Sequence, residues 1–388
     1  MTASTASRAR TLSLRELNRA TSARQMLLNR VPVPAVDAVE YLVGMQAQEP
    51  MDPYLGLWSR LEGFSPSELA GLLLEHRAVR CTLMRGTIHL VSAGDYLVLR
   101  PFVQPMLDRI FRNGRAFGAR VNVDLDRIRD ACVELVRQEP RTRGELRRLL
   151  AERWPEEDAE AMSFILLTVP LVQATPRGVW GSAGAARWAL AEEWISRPIP
   201  EVAPVEEVVL RYLGAFGPAS VADARQWCGV GGLREVFERL RPRLVTFRDP
   251  SGRELFDLPD APRPDAGTPA PPRFLPQFDN VFLSHADRSR MSPEQFGGEM
   301  KNIWNAIGTG RLAGRGQKVI SWSMFTVDGY LAGTWKAQKD GPRAVLQVQP
   351  MVKLSAADGE QLAAEGRALL SLLAPDSDPS VSEVRFTS

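Results

Sequence analysis

Gln46-Ala47-Gln48 sets two carboxamides two residues apart, after the apolar stretch from Tyr41 and before Pro50. An amide is no useful base, but it carries a carbonyl acceptor and an NH2 donor. Two amides can hold one water in a fixed orientation. That suits a hydrolysis whose leaving group is already activated, where positioning matters more than proton abstraction. Taken alone, the pair also fits ordinary polar residues at a helix end. Glu49 and Asp52 lie close in the chain and could assist.

Other chemistries lack their residues. The histidines are His76, His89 and His285, with no HxxxH or HxE pair, so no metal site is expected. There is no GxSxG nucleophile, Walker loop or dinucleotide fingerprint, and no cofactor is expected. Gly308-Thr309-Gly310 reads as a loop. Lysine occurs only at positions 301, 318, 336, 339 and 353, so nearly all of the 48 basic residues are arginine. Schiff-base chemistry is therefore excluded from the first 300 residues. The net charge of +2 gives no global polyanion attraction, yet arginine suits bidentate phosphate contact.

The elements that must position the amides repeat one order: helices, then two short strands around a tight turn. The first unit, 12–120, has helices over 14–28, 35–45 and 66–76, then strands 79–84 and 87–91 around Arg85-Gly86 and a long helix from 92 to about 117. The second, 121–200, has a helix over 125–138, a Thr142/Glu145 capping box starting the next, and a third over 156–168. Its hairpin is expected at 172–175 and 179–180 around Pro176-Arg177-Gly178. The third, 201–258, has helices over 205–215, 220–227 and 232–240 and strands 244–248 and 254–258. This is the winged-helix order; many such modules bind protein and many bind duplex DNA through a helix and a charged hairpin tip, the tips here being Arg85, Arg177 and Arg253, and three in tandem favour nucleic acid. Arg109, Arg112, Arg115 and Arg120, and Arg141, Arg143, Arg147, Arg148 and Arg153, form two further clusters, either solvated faces or phosphate contacts.

Residues 259–272 form a proline-rich linker. Beyond it, 273–388 reads as a β-rich domain, a partial barrel with helices against it, with a hairpin around Val327-Asp328-Gly329 and a helix over 356–373. The polar run Gln277 to Arg290 offers Asp279, Asn280, Ser284, His285, Asp287 and Arg288 as a buried network, either a structural turn or a place where His285 and Arg288 reach phosphates. The fold class is thus α+β: three tandem winged-helix modules and a C-terminal β-rich domain. No apolar run is long enough to span a membrane, the N-terminus lacks a secretory h-region, and Cys81, Cys132 and Cys228 fit a reducing cytoplasm.

Together these residues resemble the winged-helix DNA glycosylases of the AlkZ/YcaQ-like family. The landmarks are Leu14 to Asn18, Gln46 to Pro50 with Pro53 to Arg60, Arg85 to Leu90, Phe278 to Asn280 with Leu283 to Arg288, and Val327 to Trp335. An amide at Gln48, rather than an acid, is similar to the AlkZ-like branch. The resemblance implies a monofunctional glycosylase, without lyase activity, that excises N7-alkylated purines from double-stranded DNA. It implies Gln46 and Gln48 as the catalytic pair and a monomer acting on the bacterial nucleoid. AlkZ-like members remove bulky adducts or unhook crosslinks in antibiotic self-resistance. The rival expectation is a non-enzymatic winged-helix transcriptional regulator.

Overall fold

The computed structural model describes residues 9–113, 124–292 and 323–387. Arg115 and Arg120, the Gly308–Gly310 stretch and residues 319–322, where the alternating pattern places the start of the first strand (319–326) of the hairpin around Val327-Asp328-Gly329, lie outside them.

The first unit runs α1 (Leu14–Arg24), α2 (Ala35–Tyr41), β1 (Met45–Gln46), α3 (Asp52–Trp58), α4 (Pro66–Leu74), β2 (Ala78–Thr82), β3 (Ile88–Ser92) and α5 (Ala93–Asn113). Ser13 and Glu16 close a capping box on α1, satisfying amide groups that a helix start leaves unpaired. The helix expected through Met45 ends at Tyr41. The chain instead turns at Val43 and Gly44, both at positive φ, and enters β1. The amide motif therefore starts on a strand: Met45 pairs with Leu90 and Gln46 with His89.

The second unit has α6 (Leu125–Gln138), β4 (Arg141–Thr142), α7 (Arg143–Arg153), α8 (Ala159–Ser163), β5 (Leu171–Gln173), β6 (Arg187–Leu190) and α9 (Ala191–Ile195). The Thr142/Glu145 capping box forms as expected. The helix expected to reach Thr168 is a short α8 followed by a 3-10 turn. The hairpin partner expected at 179–180 is instead β6, in which Ala189 pairs with Val172. Val179 is buried, and Trp180 lies against Tyr54 at 5.0 Å between ring centroids. The Tyr54 hydroxyl donates to Gly178 O at 2.7 Å and accepts from Trp180 N at 3.0 Å, giving this backbone the partners a strand would have supplied.

The third unit follows expectation: α10 (Val205–Phe216), α11 (Val221–Cys228), α12 (Leu233–Leu240), β7 (Val245–Arg248) and β8 (Glu254–Asp257). The units are not beads. β2 pairs with β5, so the first two share one six-stranded sheet, ordered β1-β3-β2-β5-β6-β4. One apolar core joins Val79, Phe102 and Val172 to Tyr212, Trp227 and Phe256.

After the proline-rich stretch come β9 (Arg273–Leu275), α13 (Asn280–Leu283), β10 (Ser323–Val327), β11 (Tyr330–Asp340), β12 (Arg343–Pro350), α14 (Ala356–Leu373) and β13 (Glu383–Phe386). Among the described residues the sheet order is β13-β12-β11-β10-β9 with open ends, so in place of the expected partial barrel they form an open five-stranded sheet. The Asp328-Gly329 turn has both residues at positive φ, matching the signal in the sequence. Its tip grips α1: Arg15 and Arg19 bind Asp328, and Asn18 Nδ2 donates to Gly329 O at 2.7 Å. The expected linker is held too, through Arg24 to Pro262 O, Arg15 to Ala266 O and Arg19 to Thr268 O. Three arginines on successive turns of α1 thus fasten 259–272 as a strap.

Candidate catalytic site

Gln46 sits where the two sheets approach one another. Its side chain is 7% exposed, and its Oε1 accepts from Arg85 Nη2 at 2.6 Å. That donor fixes which amide face carries the oxygen. From the other side Asn280 Oδ1 accepts from Gln46 N at 3.3 Å, while Asn280 Nδ2 donates to Gly44 O at 2.7 Å. Asn280 heads α13, whose start is capped by Asp279. Part of the polar run at 277–290 therefore buttresses the amide motif. Gln48 lies past the end of β1 and is exposed, with a 3.4 Å contact from Ile88 N to its Oε1 as its one hydrogen bond among the described residues. One amide is walled in and the other faces solvent.

Arg85 does not project as a hairpin tip. It adopts φ 58°, in the left-handed region, and turns inward to Gln46 and to the carbonyl of Trp227. Gly229, ending α11 at φ +79°, lets the third unit close on this bend: a Cβ there would lie 3.4 Å from Arg85 Cα. Burial lowers the Arg85 pKa to about 10, so it remains a cation at neutral pH. His89, opposite Gln46, is neutral: burial first, and then Arg85, push its pKa to about 3. It is a packed core ring, with Nδ1 donating to Thr87 O.

Arg80 lies beneath the motif, 1% exposed, donating to Ala47 O at 2.8 Å and Gln173 Oε1 at 3.1 Å. Among the described residues no carboxylate pairs with it, and its Nη1 has no partner. Burial and then Arg177 lower its pKa to about 10. Gly178 packs so closely that an added Cβ would meet Arg80 Cδ at 2.5 Å. Arg177 itself is half-buried and, among the described residues, bonds only to Gly184 O. Arg80 and Arg177 thus form a cationic pair beside the amides, the second of them expected from the sequence and the first not.

Sequence reasoning also left Asp52 without a geometry. It begins α3, is 5% exposed, and has an Oδ2 with no partner among the described residues. With Gln46, Gln25, Arg60, Asp279 and Asn280 it lines a cavity of about 10 Å3, room for about one water. Arg60 and Asp279 meet there in a buried bidentate pair, both contacts at 2.8 Å. Burial, then Glu49 and Asp279, raises the Asp52 pKa to about 8.

A family model for AlkZ-like DNA glycosylases matches residues 39–372. The chain belongs to the AlkZ-like DNA glycosylase family. Its substrate is DNA, and its reaction is of the base-releasing class. Its fold is similar to that of the Streptomyces sahachiroi DNA glycosylase AlkZ, with a TM-score of 0.69 at 20% identity, over 97% of this chain and 100% of that one. No curated protein matches it.

Within this AlkZ-like glycosylase the remaining expected DNA contacts separate. His285 is 1% exposed, with Nε2 donating to Phe216 O at 2.9 Å. Burial and Arg290 push its pKa to about 3, so it is a neutral core ring and not a phosphate contact. Arg253 is exposed but already held by Asp249 at 2.6 Å and by Asp287, which leaves little charge for DNA. Arg288 is half-buried, with its pKa lowered by burial. In the second arginine cluster Arg141 pairs with Glu139, Arg143 and Arg147 with Glu160, Arg148 with Glu152 and Arg153 with Glu134. These are solvated ion-pair faces. Arg109 and Arg112 bond to the backbone at Gly229 and Asp108. Among the described residues no His, Cys, Asp and Glu gather in metal-binding groups, and no helix is long and apolar enough to cross a membrane.

Proposed function

We propose that this enzyme is a monofunctional glycosylase hydrolysing the N-glycosidic bond of cationic N7-alkylated purines in duplex DNA, bulky adducts included. The observation that carries this reading is the amide pair, with Gln46 locked by Arg85 and Asn280 and Gln48 open to solvent. Alkylation at N7 already gives the purine the positive charge that a general acid would otherwise supply. The C1′–N9 bond breaks with its electron pair passing to the base, which leaves neutral. The sugar becomes oxocarbenium-like, as in other glycoside hydrolyses. Gln48, open to solvent, holds water against C1′, and its carbonyl dipole stabilises the cationic sugar. Gln46 keeps its Nε2 for that water, because Arg85 occupies the oxygen. No lysine occurs in the first 300 residues, so the motif's neighbours in the sequence offer no Schiff-base amine for strand cleavage.

The three helix-and-hairpin units (12–120, 121–200 and 201–258) act as winged-helix modules that cradle the duplex, with Arg177 and Arg80 supplying positive potential beside the amides. One chain provides both amides, so the working unit is the monomer. The test is purine release from duplex DNA carrying N7-methylguanine or a bulky N7-guanine adduct. Release by the wild type that disappears in Gln46→Ala/Gln48→Ala, with DNA binding kept, is the expected result. DNA binding without release by the wild type would instead indicate a regulator.

A further inference from the structure

Two carboxamides can hold a water but cannot take its proton, and the site must place that proton somewhere. We propose that Asp52 is a positioning residue of the hydrolytic step: through one water in the cavity it shares with Gln46, it accepts the proton released when water adds to C1′. This rests on the glycosylase reading above.

Three observations carry it. Asp52 is a buried side chain whose Oδ2 has no partner among the described residues, although buried carboxylate oxygens ordinarily find one. The cavity beside it has room for about one water and is bounded on another side by Gln46. The other walls are apolar at Leu42, Met45, Pro276 and Phe278, and the acceptors among the polar ones are engaged: both Asp279 oxygens by Arg60, and Asn280 Oδ1 by Gln46 N. Asp52 Oδ2 is thus an uncommitted acceptor one water away from the amide motif.

The charges around Asp52 set when it can act. Glu49 at the end of the motif and Asp279 before α13 disfavour its ionised form, and burial disfavours it most. Arg80 on β2 and a backbone hydrogen bond from Phe278 favour it. The carboxyl is therefore protonated at neutral pH and ionises near 8. In the reactive form the C1′–N bond breaks with its pair going to the purine, and the water oxygen bonds to C1′. The released proton passes through the cavity water to the Asp52 carboxylate, which becomes the acid and returns its proton to solvent after product leaves. The same negative charge stabilises the sugar cation.

The experiment is single-turnover excision of N7-methylguanine with enzyme in excess, followed from about pH 6 to 9. Wild type, Asp52→Asn and Gln46→Ala/Gln48→Ala are compared, with thermal unfolding of each recorded. The expected wild-type rate rises close to tenfold per unit below about 8 and levels above it, as for a single ionising base. Asp52→Asn, folded and DNA-binding, is expected to be slower above pH 8 and to have lost the rise. A flat wild-type profile overturns the proposal without any variant. So does an Asn variant with the wild-type rate and profile. If excision still depends on the two glutamines in either case, only the role of Asp52 falls. If the wild type releases no base, the glycosylase reading falls and takes this proposal with it.

Discussion

Asp52→Asn should make the protein more stable, by an amount that grows with pH. In the folded chain burial, reinforced by Glu49 and Asp279, raises the carboxyl from 3.8 to about 8. Unfolding returns it to water and to the ordinary aspartate range. The folded state therefore keeps a proton that the unfolded state releases. Below about pH 4 both states are protonated and nothing is lost. Between about 4 and 8 the wild type loses up to ~1.4 kcal/mol per pH unit, and above that the loss is complete. The total is ~6 kcal/mol at most, a large share of the 5–15 kcal/mol typical of a folded protein. Asparagine has nearly the same shape, keeps an oxygen for the Phe278 amide, and does not titrate. Its stability advantage should thus be small near pH 5 and reach several kcal/mol near pH 8. Guanidinium unfolding of both proteins at a series of pH values measures this directly, since every group that does not interact with Asp52 cancels in the difference. A difference that stays constant with pH, or one that shrinks as pH rises, would refute the burial argument. A carboxyl that weakens the fold next to the Gln46/Gln48 amides is also what a stability–activity trade-off looks like.

Arg85→Ala removes the donor that fixes the Gln46 oxygen. Single-turnover excision should fall about a hundredfold, the scale of misplaced catalytic groups, while affinity for undamaged duplex changes little; an equal loss of both would make Arg85 a DNA contact instead. Arg177→Ala should reduce the slope of log affinity against log salt by about one, whereas Arg253→Ala should leave it unchanged, because Asp249 and Asp287 already neutralise that guanidinium. The reverse ranking in a salt titration would show that the ion pairs of Arg253 open on DNA.

What the sequence determined by itself is what lies within a few residues. Capping boxes at Ser13, Thr142, Ser220 and Ser355 close over three residues. The Asp328-Gly329 turn follows from which residues tolerate positive φ. The helix over 125–138 follows from its apolar period. The amide pair was legible for the same reason, since its chemistry depends on two residue types at one spacing. Only the tertiary structure decided which polar groups are buried and what they meet, because those partners are remote in sequence. Asn280 supports Gln46 from 234 residues away, and Asp287 neutralises Arg253 from 34. Nothing local to Arg85 says that Trp227 and Gln46 will draw it inward, or that Phe216 will take His285 into the core. The strand β6 replaced the one expected at 179–180 because Tyr54, on a different helix, satisfies that backbone. Asp52 is the sharpest case: an ordinary acid in an ordinary helix start, it becomes a buried carboxyl with one oxygen unpartnered among the described residues, through burial against chain more than 200 residues further on. Desolvation and pairing are properties of what the whole fold brings together, and they decided which charges are free to act.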